Sequence, residues 1–432
     1  MAYPVVSMKY LKKDSSEEKE LLDRFLSYVK TYSTSSCANA DKGIIPSTPQ
    51  EKIFAQKLAD EMKSAGVSGI QISDHCYVYG YLPASTGMEQ IPAFCVMAHM
   101  DTVEEVSGKD VRPSVIRKYD GRVLSLECGT VLDPASDNAL LQAGQEHDTI
   151  ITTDGTTLLG ADDKAGIAAI MTAAEYLIHH PEIKHGKIEI MFSPDEETGH
   201  GMDNVPLALL SSKRCYTLDG GHIGELEIEC FNAFKSDITF TGRSTHTGTA
   251  RAGGMVNAVS MAGAFLASLP RHEAPETTDG YQGFYAPMEV SGSIETSHVM
   301  LLLRDFTGEG MKKRQELVRQ IAETTAHSFG GNVLVVHTQQ YLNMKEKMDQ
   351  HPAIVQDLFT AYRNAGIEPL CQPIRGGTDG SRLTEMDIPT PNIFTGGHNY
   401  HSRSEWASLS QMLAAAEVIL QLAEVVSNRT EK

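Results

Sequence analysis

The sequence predicts an α/β fold: a mostly parallel sheet with helices on its faces, interrupted by an inserted ferredoxin-like α+β domain. Three observations lead there. Short apolar runs at 93–98, 188–192, 215–218 and 389–394 have the length and content of buried strands. Helical segments such as 165–179 separate several of them, and strands alternating with helices favour a parallel sheet. Between the third and fourth runs lies a different order, β-α-β-β-α-β, which is the split βαβ unit. A length of 432 residues suits two or three domains.

Along the chain, residues 16–32 carry Leu21, Leu22, Phe25, Leu26 and Val29 on one helical stripe. Thr48-Pro49-Gln50-Glu51 then offers a cap, a proline for the first helical position and a glutamate to complete a capping box. That helix stops at Gly66. The stretch 103–154 is rich in Gly, Asp and Pro and reads as an excursion of loops and short strands. In the insert, strands are expected at 234–240, 284–294, 298–306 and 332–337, with helices at 255–269 and 309–329. The expected organisation is a first catalytic part at 1–228, the insert at 229–339 and a second catalytic part at 340–432.

Lys plus Arg number 37 and Asp plus Glu 56, giving a formal charge of −19. Such a chain repels phosphate backbones, so no nucleic-acid partner is expected, whereas metal ions or ammonium-bearing small molecules are compatible. No run of about 18 uncharged apolar residues suggests a membrane span, and the start shows no secretory pattern. The seven cysteines are scattered without a C-x-x-C. They resemble neither a disulfide framework nor a Cys zinc site, which points to a reducing cytoplasm.

Four strand-like runs end in polar clusters: His99-Met100-Asp101, Asp195-Glu196-Glu197, Asp219-Gly220-Gly221 and His398-Asn399-Tyr400-His401. A fifth, Asp162-Asp163, precedes a helix. Each has a plain reading: a local His–Asp pair, a solvated acidic loop, helix capping or a turn. Together, at the carboxyl ends of strands where α/β sheets gather ligands, they form the ligand set of a divalent cation, zinc foremost. Adjacent Glu196 and Glu197 can divide two tasks, one ligating and the other taking a proton from water. His99 and Asp101, two apart on a strand end, project to one side, so Asp101 can hold the ring of a ligating His99.

At this point the chain resembles the peptidase T family, zinc-dependent tripeptide aminopeptidases of the di-zinc aminoacylase and carboxypeptidase superfamily. The segments that carry the resemblance are AHMDT, ITTDGTTLLGADDKAGIAAIMTA, SPDEETG, YTLDGGHIGELEIECFNAF, HTGTARAGGMVNAVS, PIRGGTDGSRL and PNIFTGGHNYHSRSE. The resemblance implies two Zn2+ ions per subunit. His99 and Asp219 would bind one, Glu197 and His401 the other, and Asp162 would bridge them. His401 is preferred to His398 because it follows Asn399-Tyr400. Asp101 would orient His99 and Glu196 would be the general base. A cis peptide is implied at Asp162-Asp163. The insert would be a lid and, as in many relatives, a homodimer contact. His246, Asn257 and Arg375 would touch substrate or the oxyanion, Arg375 as a clamp for a peptide carboxylate. The chain departs from the family at Thr247, where proline is usual, and at His398, where an aromatic residue is expected. A deacylase or carboxypeptidase would use the same ligands, and a non-catalytic scaffold would be expected to lack Glu196 or several ligands.

Overall fold

A computed structural model describes residues 8–429. The chain forms two compact units, residues 8–228, 347–372 and 378–429 in the first, and 229–346 with 373–377 in the second. The insert therefore reaches beyond 339. Its last strand, Asn332–Tyr341, runs on to Tyr341, and Ile374 returns to the unit by bonding its N–H to the Glu229 carbonyl at 2.9 Å.

The first unit is built on an eight-stranded sheet. Its spatial order is Ser68–Ile72, Val78–Leu82, Ile188–Ser193, Phe94–His99, Cys215–Gly220, Asn392–Phe394, Glu225–Glu227 and Leu370–Cys371. The four central strands, those legible as apolar runs, pair in parallel. The flanking pairs Ser68–Ile72 with Val78–Leu82, and Asn392–Phe394 with Glu225–Glu227, are antiparallel. The run expected from 389 is a strand only over Asn392–Phe394. Pro389 and Pro391 have no N–H to donate and pair one-sidedly, through carbonyls that accept from Cys215 and Thr217.

Helix Ala161–His179 is buried nearly all round. It approaches the sheet so closely that a Cβ on Gly166 would lie 2.1 Å from the Leu218 carbonyl oxygen. Helix Leu409–Ser427 is 19 residues long and apolar enough to cross a bilayer, yet it lies buried in the protein as a core helix. Its Glu417, wholly inaccessible, accepts the N–H groups of Lys9, Tyr10 and Leu11. The excursion at 103–154 contributes two strands to a small sheet of Gly397–His398, Trp406–Ser408, Ile150–Thr152 and Ser114–Ile116. It also holds a helix the sequence did not suggest, Asn138–Gln145, capped by Asp137.

The second unit is a four-stranded antiparallel sheet ordered Phe284–Gly292, Thr296–Asp305, Asn232–Thr241 and Asn332–Tyr341. Helices Ala258–Ser268 and Gly308–Phe329 pack on it around Ile238, Phe240, Phe265, Val299, Leu301 and Val318.

Candidate metal centre

The sheet order reverses at Phe94–His99: the next strand, Ile188–Ser193, lies on one side and Cys215–Gly220 on the other. The carboxyl ends of these strands form the crevice where α/β sheets bind ligands. His99 ends the first of them, Asp195 to Glu197 follow the second, and Asp219 lies near the end of the third.

The side chains group about Asp162. Its Oδ1 is 2.8 Å from His99 Nε2, and its Oδ2 is 3.1 Å from His401 Nε2. Asp219 Oδ1 lies 3.5 Å from the same His99 nitrogen, and Glu197 Oε2 lies 3.1 Å from the same His401 nitrogen. One carboxylate is thus flanked by two imidazole–carboxylate pairs. The Asp162–Asp163 peptide is cis. His401 has φ 56° and Asn399 φ 57°, an unusual left-handed pair in the loop that delivers the imidazole.

Glu196 and Glu197 open a short 3₁₀ turn, Glu196–Thr198, entered through a left-handed Asp195. The fully buried Asp101 carboxylate accepts both their N–H groups, at 3.0 and 3.1 Å. His99 Nδ1 is 3.1 Å from the Asp101 carbonyl and 3.4 Å from its Oδ1. Asp101 therefore supports the glutamate turn through its carboxylate, a task the sequence did not suggest. Glu51 adds to it: besides the Thr48 N–H at 3.0 Å it accepts the Asp195 N–H at 3.1 Å. The capping box was the one sequence signal that marked Glu51. Asp219 is held by Asn392, whose Oδ1 accepts the Asp219 N–H and whose Nδ2 donates to Glu227.

Burial works against charge throughout the cluster. It would lower His99, but Asp219, Asp101 and Asp162 outweigh it and hold the imidazole well above its ordinary value. His401 is likewise raised to about 11 by Asp162 and Glu197 against its burial. Burial and the Asp162 charge push Glu197 up to about 8, and burial pushes Asp219 up to about 6. Burial and the Asp219 charge hold Glu196 well above the usual carboxylate range. A dication placed among these groups would invert that balance.

The donor set fits such ions. His99, Asp162 and Glu197, and separately His99, Glu196 and Asp219, bring ligand atoms within 4.8 Å of one another. Glu197 Oε1 is buried and has no hydrogen-bond partner among the described residues. Two imidazoles with several carboxylates suit zinc and similar divalent metals.

His398 is not part of this group. It is buried and stacked on Trp406, 4.1 Å between centroids. Burial, with His222 nearby, pushes its pKa down from 6.5 to about 3. The unfolded chain takes up a proton there that the folded chain refuses. Stability from this residue is therefore complete above about pH 6.5 and is lost as pH falls toward 3. His398→Phe should keep the stack and flatten the acid limb of the urea-unfolding profile by up to about 1.4 kcal/mol per pH unit. An acid limb as steep as that of the parent protein would refute this.

Close packing behind the turn gives a second prediction. A Cβ on Gly201 would lie 2.2 Å from Asp379 Oδ1 and 2.9 Å from Glu196 Cα. Asp379, itself bonded by Ser193 Oγ at 2.5 Å, cannot retreat freely. Gly201→Ala should displace the Glu196 turn and destabilise the fold by about 1–3 kcal/mol, the usual cost of an extra methyl in a packed site. An unchanged urea-unfolding midpoint would show that the turn absorbs the methyl.

His246, Asn257 and Arg375 all belong to the second unit, and each has a local task there. His246 Nδ1 accepts the Gly248 N–H at the head of the turn Thr247–Thr249, so the turn forms without proline. Asn257 caps Ala258–Ser268 through the Val259 and Ser260 N–H groups. Arg375 donates to the carbonyls of Gly280, Gln282 and Thr278 and to the Thr278 hydroxyl. Those bonds occupy both terminal guanidinium nitrogens, so a free bidentate fork is not presented.

The sequence profile of peptidase family M20/M25/M40 matches residues 152–425. A peptidase T from Clostridium perfringens is 44% identical over 413 residues, covering 95% of this chain and all of that one. A peptidase T from Geobacillus kaustophilus is 44% identical over 415 residues, covering 95% of this chain and 99% of that one. Among solved structures, an aminopeptidase from Bacillus cereus matches with a TM-score of 0.73 at 23% identity, covering 95% of this chain and 99% of that one. A dinuclear metal-binding peptidase from Bacillus subtilis matches with a TM-score of 0.66 at 13% identity, covering 96% of this chain and all of that one.

Proposed function

The chain belongs to peptidase family M20/M25/M40, in its peptidase T branch, and from that membership we propose that it releases the N-terminal residue of tripeptides with the help of two zinc ions. The observation that carries the reading is the division of ligands about Asp162: His99 with Asp219 on one side, His401 with Glu197 on the other. Bound there, the cations would acidify a water and offset charge developing on the peptide carbonyl. Glu196 takes the proton of the attacking water and returns it to the leaving amine as the C–N bond breaks. Asp101 fixes the turn that carries Glu196 and Glu197 by accepting both of their N–H groups. His246 is assigned to the oxyanion and Asn257 to the substrate backbone. Arg375 is assigned to the peptide carboxylate, which requires it to exchange carbonyls of the 278–282 loop for that group.

Tripeptide as substrate rests on the peptidase T kinship. A cytoplasmic location is supported by seven free cysteines. A homodimer through the second unit is supported by Met288, Val290 and Leu334, all more than half exposed on its edge strands; sedimentation tests it. The deciding assay sets an unblocked tripeptide beside its N-acetylated twin with zinc-loaded protein. Release of the first residue from the free peptide alone is expected. Cleavage of the acetylated one would make the protein a deacylase or carboxypeptidase, and silence on both with metal bound would make it a scaffold.

A further inference from the structure

Glu405 follows His401 by four residues and is 1% exposed. Its Oε2 accepts the N–H groups of Leu159 at 2.7 Å and Gly160 at 2.8 Å, and its Oε1 accepts the N–H of Asp162 at 3.1 Å. These donors belong to the turn entering helix Ala161–His179, where first-turn N–H groups lack helical acceptors. A cap ordinarily comes from the residue before the helix. Here that residue is Gly160, at φ 81° and without a side chain, and the acceptor comes from 243 to 246 residues away.

The same short segment touches Asp162 twice. His401 Nε2 faces the Asp162 carboxylate at 3.1 Å, while Glu405 holds the Asp162 backbone N–H. The loop carrying one imidazole is thereby tied to the residue that stands between both imidazoles. We propose that Glu405 is a positioning residue of the metal centre, fixing Asp162 against His401 so that the spacing of the two cation positions is set by the protein. The inference rests on the two-metal reading above. A carboxylate has four lone-pair sites and no proton to offer, so it can serve three donors at once. Its amide counterpart would turn an NH2 group toward backbone N–H groups.

A purely structural role has a built-in comparison. Glu417 is also buried and also accepts three backbone N–H groups, those of Lys9, Tyr10 and Leu11, none of which belongs to the centre. Zinc is titrated into metal-free parent protein, Glu405→Gln and Glu417→Gln, in competition with a chromophoric chelator, and Tm is recorded for each. The parent should bind two zinc ions. Glu405→Gln should bind at least one of them roughly 10- to 100-fold more weakly, the usual cost of losing an outer partner of a ligand. Glu417→Gln should lose Tm but keep the parent's zinc affinity. If Glu405→Gln does not fold, Glu405→Asp, which keeps the charge but is too short to reach all three donors, should show the weakened zinc binding. Parent-like zinc affinity in the folded Glu405 variant, or an equal loss in Glu417→Gln, overturns the positioning role alone. A parent protein that binds fewer than two zinc ions overturns the two-metal reading instead.

Discussion

Glu196→Gln will reduce turnover of an unblocked tripeptide by on the order of 10³-fold or more while leaving zinc stoichiometry unchanged. Gln is nearly isosteric with Glu, and the Glu196 backbone N–H still reaches Asp101 at 3.0 Å, so the turn survives. What disappears is the ability to take a proton. The neighbouring Glu197→Gln serves as contrast: it changes a side chain whose Oε2 faces His401 at 3.1 Å, so it should weaken metal binding first and activity as a result. Zinc content and kcat measured together separate the two glutamates. If Glu196→Gln turns over at the parent's rate, the base lies elsewhere.

Asp162→Asn will cost more in metal affinity than any other single replacement at the centre, because both halves of the ligand set share this side chain. Each carboxylate oxygen faces a different imidazole, at 2.8 and 3.1 Å. An amide can offer an oxygen to only one of them and turns an NH2 toward the other. The expected loss exceeds the roughly 10- to 100-fold that an outer partner's removal costs, and activity should vanish with it. Isothermal titration with zinc would read the stoichiometry directly. Two sites of parent affinity in Asp162→Asn would mean that Asp162 does not bridge.

The parts of this protein visible in its sequence are those with a local signal. The central strands are continuous apolar runs followed by His or acidic residues, and that contrast marks both the sheet and the ends where the candidate ligands gather. The outer strands Ser68–Ile72 and Val78–Leu82 lack it: the first is largely exposed, and the second is broken in pattern by Gly80. Around the site, His99, Asp162, Glu197, Asp219 and His401 stand out because they sit in polar clusters at the ends of apolar runs or at the head of a helix. Asp379 and Glu405 do not, and Glu51 shows only its capping box, because their work is to accept donors from distant parts of the chain. Arg375 shows the converse. Its chemistry suggested a free fork, and the loop that occupies it lies about a hundred residues earlier.

The strand Asn392–Phe394 has a consequence for how the molecule is made. It lies between Cys215–Gly220 and Glu225–Glu227, and the core helix Leu409–Ser427 follows it. A ribosome emitting this chain delivers the second unit, with its own core, well before that strand. Until residue 394 has emerged, Cys215–Gly220 has an unpaired side, and until residue 427 has, the apolar face that helix Leu409–Ser427 covers is bare. Unfinished sheets of this kind are prone to stick to one another. His401 and Glu405 arrive within the same stretch, so the nascent chain cannot assemble the proposed metal centre before residue 405 has emerged.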